Sequence, residues 1–143
     1  MNLFETQEYR ELSIKHNYNI ISYLIKKGVG FSIICHTNVI DFNPPIPKEI
    51  IEFGDLVRFD IFNYTFDSSV LNEDSLTFEA GFGEENFGSI ITVPLDAIYQ
   101  IIVDDLILSL NYFKPKPKIE PNSMEILLKN PENLKLLRKN KKA

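Results

Sequence analysis

The sequence predicts an α+β domain that is mainly β, with an N-terminal helix, a small open antiparallel barrel and a flexible basic tail. Three observations carry this expectation. An apolar-rich run closes on Lys26-Lys27-Gly28, several short alternating stretches follow at close intervals, and Lys114-Pro-Lys-Pro-Lys then stops regular structure. Two cations before a glycine suit a helix C-terminus, because the last carbonyls carry partial negative charge and glycine accepts the left-handed cap. Alternating Lys and Pro cannot pair into a sheet and stretches by its own charge.

In chain order, the helix is expected from Glu5 to Lys27. Its residues Tyr18, Ile21, Tyr23, Leu24 and Ile25 cover more than one narrow stripe, and a helix apolar on two sides must bury two sides. The second side packs either under the domain or against a copy of itself, so Tyr18, Ile21, Leu24 and Ile25 form a candidate dimer interface. Phe31 to Val39 is apolar enough for a strand covered on both faces. FNPPIP, Phe42 to Pro47, is an extended connector, since proline removes a donor and fixes φ. Lys48 to Phe53 suits a helical turn or an edge strand, and Gly54-Asp55 a turn. Val57, Phe59 and Ile61 alternate with Arg58 and Asp60 as a half-buried strand, and Thr65 to Leu71 forms a weaker one. Asp74 to Tyr99 contains a hairpin whose first strand sets Leu76, Phe78, Ala80 and Phe82 against Ser75, Thr77, Glu79 and Gly81. Leu95 to Val103 has brief helical spacing, and Leu106 to Tyr112 alternates as a final strand. About five short strands at such intervals suggest an SH3-like or Sm-like class, in which closing the sheet protects its edges.

At 143 residues, with 44% hydrophobic and 12% aromatic residues, the chain has the size of one domain with a real core. The expected body spans residues 1–113 and the tail 114–143. Their charges differ: the body has 6 Lys/Arg against 17 Asp/Glu, the tail 9 against 3. An acidic body argues against a nucleic-acid platform, which needs clustered cations. The single cysteine, Cys35, sits in an apolar run as a small buried hydrophobe. The start shows no signal peptide and no run reaches the ~20 apolar residues of a membrane helix, so a cytoplasmic protein is expected.

Catalytic and metal signatures do not emerge. His16 and His36 have no partner at metal-ligand spacing, and HExxH, CxxC and GxSxG are missing. Gly81, Gly83 and Gly88 match neither GxGxxG nor GxxxxGK, and Glu84 and Glu85 in that loop repel phosphate. No enzyme activity and no cofactor are expected. A barrel opening instead offers unpaired backbone to an extended peptide, with alternate side chains entering apolar pockets. Phe59, Ile61, Ala80, Gly81, Phe82, Gly83 and Tyr112 are the candidate lining.

Several pieces in one order carry a family resemblance. A helix ends in Tyr23-Leu24-Ile25, FNPPIP precedes a Gly-Asp turn, and VRFDIF follows; then come Leu76-Thr-Phe-Glu-Ala-Gly-Phe-Gly and Thr92-Val-Pro-Leu-Asp-Ala-Ile-Tyr. From about Tyr18 to Pro115 the chain resembles the stringent starvation protein B (SspB) family, adaptors that deliver ssrA-tagged polypeptides to the ClpXP protease. The resemblance implies an Sm-like open barrel, a homodimer through the N-terminal helix, and a groove for a degradation-tag peptide. It also implies a tail that docks on the ClpX unfoldase. Leu134-Lys135-Leu136-Leu137-Arg138 repeats the order of the family's Leu-Arg-Val-Val-Lys docking motif, although five residues follow it here. The alternative is an Sm-like RNA-binding module, for which the basic tail is the only support. Neither a membrane nor, under the leading reading, a nucleic acid is an expected partner.

Overall fold

A computed structural model describes residues 2–117 of the chain. The first long element is helix α1, Gln7–Lys27, entered through a short 3-10 turn, Leu3–Glu5. The Thr6 hydroxyl accepts the Tyr9 N–H at the N-cap, and Gly28 closes the helix with φ +70° while donating to the Ile25 and Leu24 carbonyls. Lys26-Lys27-Gly28 therefore acts as the expected C-terminal signal. The buried residues of α1 are Ser13, Asn17, Ile21 and Leu24. They lie on one face at spacings of four and three, and half of them are polar.

Eight strands follow: β1 (Phe31–His36), β2 (Asp41–Asn43), β3 (Leu56–Ile61), β4 (Val70–Leu71), β5 (Ser75–Phe82), β6 (Phe87–Pro94), β7 (Ile98–Val103) and β8 (Leu106–Leu110). They form two four-stranded antiparallel sheets, ordered β3-β1-β7-β8 and β2-β6-β5-β4. The α+β class expected from the sequence holds, with more strands than the five anticipated. Phe31, Ile33, Phe59 and Ile61 of one sheet and Leu76, Phe78, Ile91 and Val93 of the other are buried in a shared core with Ile21 and Leu24 of α1. Cys35 is also in this core, and burial pushes its thiol pKa well up, as befits an inert hydrophobe.

Two segments differ from their expected form. Thr65 to Leu71 is not one strand: helix α2 (Asn63–Ser68) precedes the two residues of β4. Tyr64, Thr65 and Phe66 favour strands intrinsically, but tertiary contacts override so weak a preference. The Ser68 hydroxyl donates to the Thr65 carbonyl and accepts the Glu79 N–H, which fixes α2 to β5. Leu95 to Val103 is a 3-10 turn, Leu95–Ala97, followed by β7. Its helical spacing has a specific cause. Gln100 pairs with Ile34 and Ile98 with Cys35, which leaves Tyr99 as an extra residue on β7. Such a bulge shifts the alternation by one, so Ile98 and Ile101, three apart, both enter the core.

The Leu95–Ala97 turn anchors α1. Asn17 donates through Nδ2 to the Leu95 carbonyl at 2.9 Å and the Ile98 carbonyl at 3.2 Å, and its Oδ1 accepts from Ser109. Nearer the N-terminus, Arg10 Nε donates to Asp96 Oδ2 at 2.9 Å. Val103 joins Leu106 through Asp104 and Asp105, both at positive φ (52° and 62°), the backbone of a two-residue hairpin that matches strand twist.

On the outward face of the first sheet, the Ser32 hydroxyl donates to Asp60 Oδ1 at 2.6 Å and Arg58 Nε to the same oxygen at 3.0 Å. These two donors hold the Asp60 pKa below the usual aspartate value. A lowered carboxylate contributes stability above its unfolded pKa and loses it as pH falls through the folded value. Replacing Asp60 with Asn is therefore expected to flatten the loss of stability on acidification from neutral pH into the aspartate range, read from urea midpoints across pH.

Candidate functional site

The hairpin of β5 and β6 carries a feature set by missing side chains. Its register places Gly81 directly opposite Gly88, flanked by Ala80–Ser89 and Phe82–Phe87. Side chains alternate between faces, so both glycines belong to the same, outward face and leave it bare. A groove of about 500 Å³ lies over this floor. Asn43 and Pro44 wall it on the β6 side, Tyr64 and Thr65 of α2 on the β5 side, and Asn86 stands toward the hairpin tip. A Cβ added at Gly88 would meet nothing within 4 Å, whereas one at Gly81 would run into the Asn86 side-chain amide.

The walls are fixed by their own bonds. The Tyr64 hydroxyl donates to the Glu79 carboxylate. That bond, followed by the charge of Glu79, raises the Tyr64 pKa and keeps the phenol neutral. On the other side the Ser89 hydroxyl donates to the Pro44 carbonyl at 2.9 Å. β2 pairs with Ile90, Ile91 and Thr92 and then turns away at Pro44, so among the described residues Phe87, Gly88 and Ser89 have β5 on one side and no strand on the other. An extended chain entering there finds free backbone groups, a bare floor, and the polar ends of Asn43, Asn86 and Glu79.

The tip is held by other means. Gly83 turns at φ +71°, and a Cβ there would lie 2.6 Å from Ile50 Cγ2. Gly83 is thus a turn residue packed against the connector and leaves the floor to its neighbours. Beneath it, Phe82 joins Phe42, Phe53 and Phe59 in a ring cluster with centroid separations of 5.4 to 6.5 Å.

Of the lining expected from the sequence, the structure brings only Ala80 and Gly81 to this groove. Phe59 and Ile61 are buried in the core and Phe82 is half-buried against it. Tyr112 is exposed on the other sheet. Among the four residues expected at a dimer interface, Ile21 and Leu24 belong to the chain's own core, and Tyr18 and Ile25 are half-buried against it. The segment Leu134 to Arg138 lies outside the described residues. Asn43, Pro44, Tyr64 and Gly88 are among the groove residues that sequence reading missed. The only available sign was that Gly81 and Gly88 are equidistant from a turn centred between Glu84 and Glu85.

A larger cavity, about 780 Å³, opens on the first sheet beside His36, Leu56, Tyr99, Tyr112 and Lys114. Burial, followed by the nearby charge of Lys114, lowers the His36 pKa. This cavity lies beside Leu56 of the edge strand β3 but lacks the paired bare glycines that floor the smaller groove. Among the described residues, no group of three His, Cys, Asp or Glu side chains is placed to hold a metal ion. No helix among them is long and apolar enough to cross a membrane. No family model matches the chain, and no curated protein is significantly similar to it.

Proposed function

We propose that the domain captures an extended peptide in the groove over Gly81 and Gly88, and that it serves as a cytoplasmic adaptor presenting tagged polypeptides to the ClpXP protease. The observation that carries the reading is the cross-strand glycine pair beside the free edge of β6. Backbone pairing to such an edge gives affinity without regard to sequence, and the pockets beside it select side chains. The bare floor gives a bound chain room for side chains that an ordinary strand pair would exclude. The delivery half of the reading rests on the resemblance to the SspB family and on the docking-like order of Leu134 to Arg138. Tethering the cargo raises its local concentration at the protease with no new contact between cargo and enzyme. An RNA-binding role fits less well, because Glu79 sits in the groove wall and the body is acidic.

Isothermal titration of the intact chain with an ssrA-type peptide is expected to show saturable binding. Removing residues 134–143 is expected to leave that binding unchanged while abolishing stimulated degradation by ClpXP. A flat titration rejects the peptide reading; unchanged degradation after truncation rejects the delivery reading alone.

A further inference from the structure

We infer that the larger cavity, on the first sheet, binds a small aromatic carboxylate, its planar ring held among His36, Tyr99 and Tyr112 and its charge on Lys114. The volume of about 780 Å³ falls in the range of small-molecule sites, ~300–1,000 Å³. Its walls come from the ends of several strands. β1 ends at His36, and the chain bends away through a 3-10 turn, Thr37–Val39, in which the Thr37 N–H donates to the Asp55 carbonyl at 3.0 Å, just before β3. Tyr99 is the extra residue of the β7 bulge, and a bulge re-aims a side chain that regular alternation would send elsewhere.

The rings form a cupped wall. His36 and Tyr99 have centroids 6.1 Å apart with planes tilted by 48°, and Tyr99 and Tyr112 lie 6.2 Å apart at 65°. Rings set at such angles do not cover one another, so faces and edges remain for a ligand ring. Tyr112 is half exposed, and Leu56, opposite His36 in the register, is exposed as well. The wall is fixed before any ligand arrives. Asn111 is buried; its N–H donates to the Tyr99 carbonyl, its amide to the Asp96 and Ile98 carbonyls, and its Oδ1 accepts the Phe113 N–H. The Tyr112 N–H donates to the Tyr9 hydroxyl. A segment pinned on both sides of Tyr112 presents its ring at little further entropic cost.

Charge selects the ligand. Among the described residues that line the cavity, Lys114 is the one cation and Asp55 the one carboxylate. Asp55 enters from the β3 edge of the sheet and Lys114 from the β8 edge, strands roughly 14 Å apart at ~4.8 Å per step. One end is therefore cationic and the other acidic. Burial, and then the charge of Lys114, holds His36 below the usual histidine range, so its ring is neutral at neutral pH and the Lys114 ammonium lies near it. A ligand with one negative charge neutralises Lys114, keeps clear of Asp55 and leaves its ring over the aromatic wall. A cationic ring meets Lys114 with like charge. The second charge of a phosphate finds no partner in a body with 6 cations against 17 carboxylates. The cavity lies on the opposite sheet from the peptide groove and stands independently of it.

The chain has no tryptophan, so indole fluorescence reports an indole ligand alone. Titrating the full chain into indole-3-acetate is expected to give a saturable change with a Kd on the order of 0.1–1 mM, as suits so few atoms. Tryptamine, the same ring with a positive charge, and adenosine monophosphate, a ring with a doubly charged phosphate read by competition, are each expected to bind at least about 5-fold more weakly. Lys114→Glu is expected to weaken indole-3-acetate about 10-fold or more, whereas Lys15→Glu, the same change in net charge on α1, leaves it unchanged. Tyr112→Ala is expected to weaken it about 5-fold with an unchanged circular dichroism spectrum. Saturating ssrA-type peptide is expected to leave the indole bound. A titration that stays flat to about 10 mM overturns the inference. So does binding that either Lys114→Glu or Tyr112→Ala leaves intact, or that Lys15→Glu weakens equally. Tryptamine or adenosine monophosphate binding as tightly as indole-3-acetate overturns it too, as does displacement by the peptide.

Discussion

Replacing Gly88 with leucine is expected to abolish peptide binding while leaving the domain at least as stable as before. The two effects separate because of where Gly88 sits. An added Cβ meets nothing within 4 Å, and the groove of about 500 Å³ above it leaves room for the rest of a leucine. Glycine in a strand interior is a stability cost, and a side chain there is expected to gain up to about 1 kcal/mol. The same leucine stands on the groove floor, where the side chains of the bound peptide are proposed to lie. A loss of at least 100-fold in affinity, about 2.7 kcal/mol, is expected by titration with the same peptide. Gly81→Leu is a poorer probe, because it drives into Asn86 and mixes strain of about 1–3 kcal/mol with blockage. A Gly88→Leu protein that melts normally and binds the peptide as tightly as before removes the groove from consideration.

Gly81 and Gly88 also show why the fold was more legible in the sequence than the site. A fold signal is periodic and local: Leu76, Phe78, Ala80 and Phe82 announce β5, and Lys26-Lys27-Gly28 announces the end of α1. The groove depends on which residue of β6 stands opposite Gly81, a matter of register that a turn of uncertain length leaves open. Its walls come from elements far apart in sequence, Asn43-Pro44 after β2 and Tyr64 in α2, and α2 itself reads as strand because Tyr64, Thr65 and Phe66 have strand-like preferences. The aromatics failed as groove candidates for the opposite reason. Phe59 alternates along a strand with one buried face, and alternation cannot distinguish a core from a groove. β7 misled through its bulge, which places Ile98 and Ile101 on the same side and imitates a helical repeat.

Asn17→Ala is expected to lower stability by about 2 kcal/mol, although the residue lies in a helix and touches no proposed ligand site. Asn17 is almost completely buried, on the face of α1 that also holds Ser13, Ile21 and Leu24. Its amide donates to the Leu95 and Ile98 carbonyls, and its oxygen accepts from Ser109 on β8. Asn111 also donates to the Ile98 carbonyl, at 3.2 Å, so that group keeps a partner when Asn17 is lost. The Leu95 carbonyl likewise keeps the Ile98 N–H, so the buried Ser109 hydroxyl is the group that loses its partner. It carries a desolvation penalty of about 1–3 kcal/mol, partly relieved if water enters the space left by the amide. For a domain of this size the total corresponds to a fall of about 6 °C in melting temperature. Asn17→Asp tests the direction of the bonds. It keeps the shape and the acceptor for Ser109 but removes the donor and turns two carbonyls toward a carboxylate. It is therefore expected to be worse than alanine at neutral pH and to recover as the carboxyl protonates in acid. Thermal melts of the two variants at neutral and acidic pH separate these outcomes. Equal stability of Asn17→Ala and the parent chain shows that the Asn17 hydrogen bonds do not hold α1 against the Leu95–Ala97 turn.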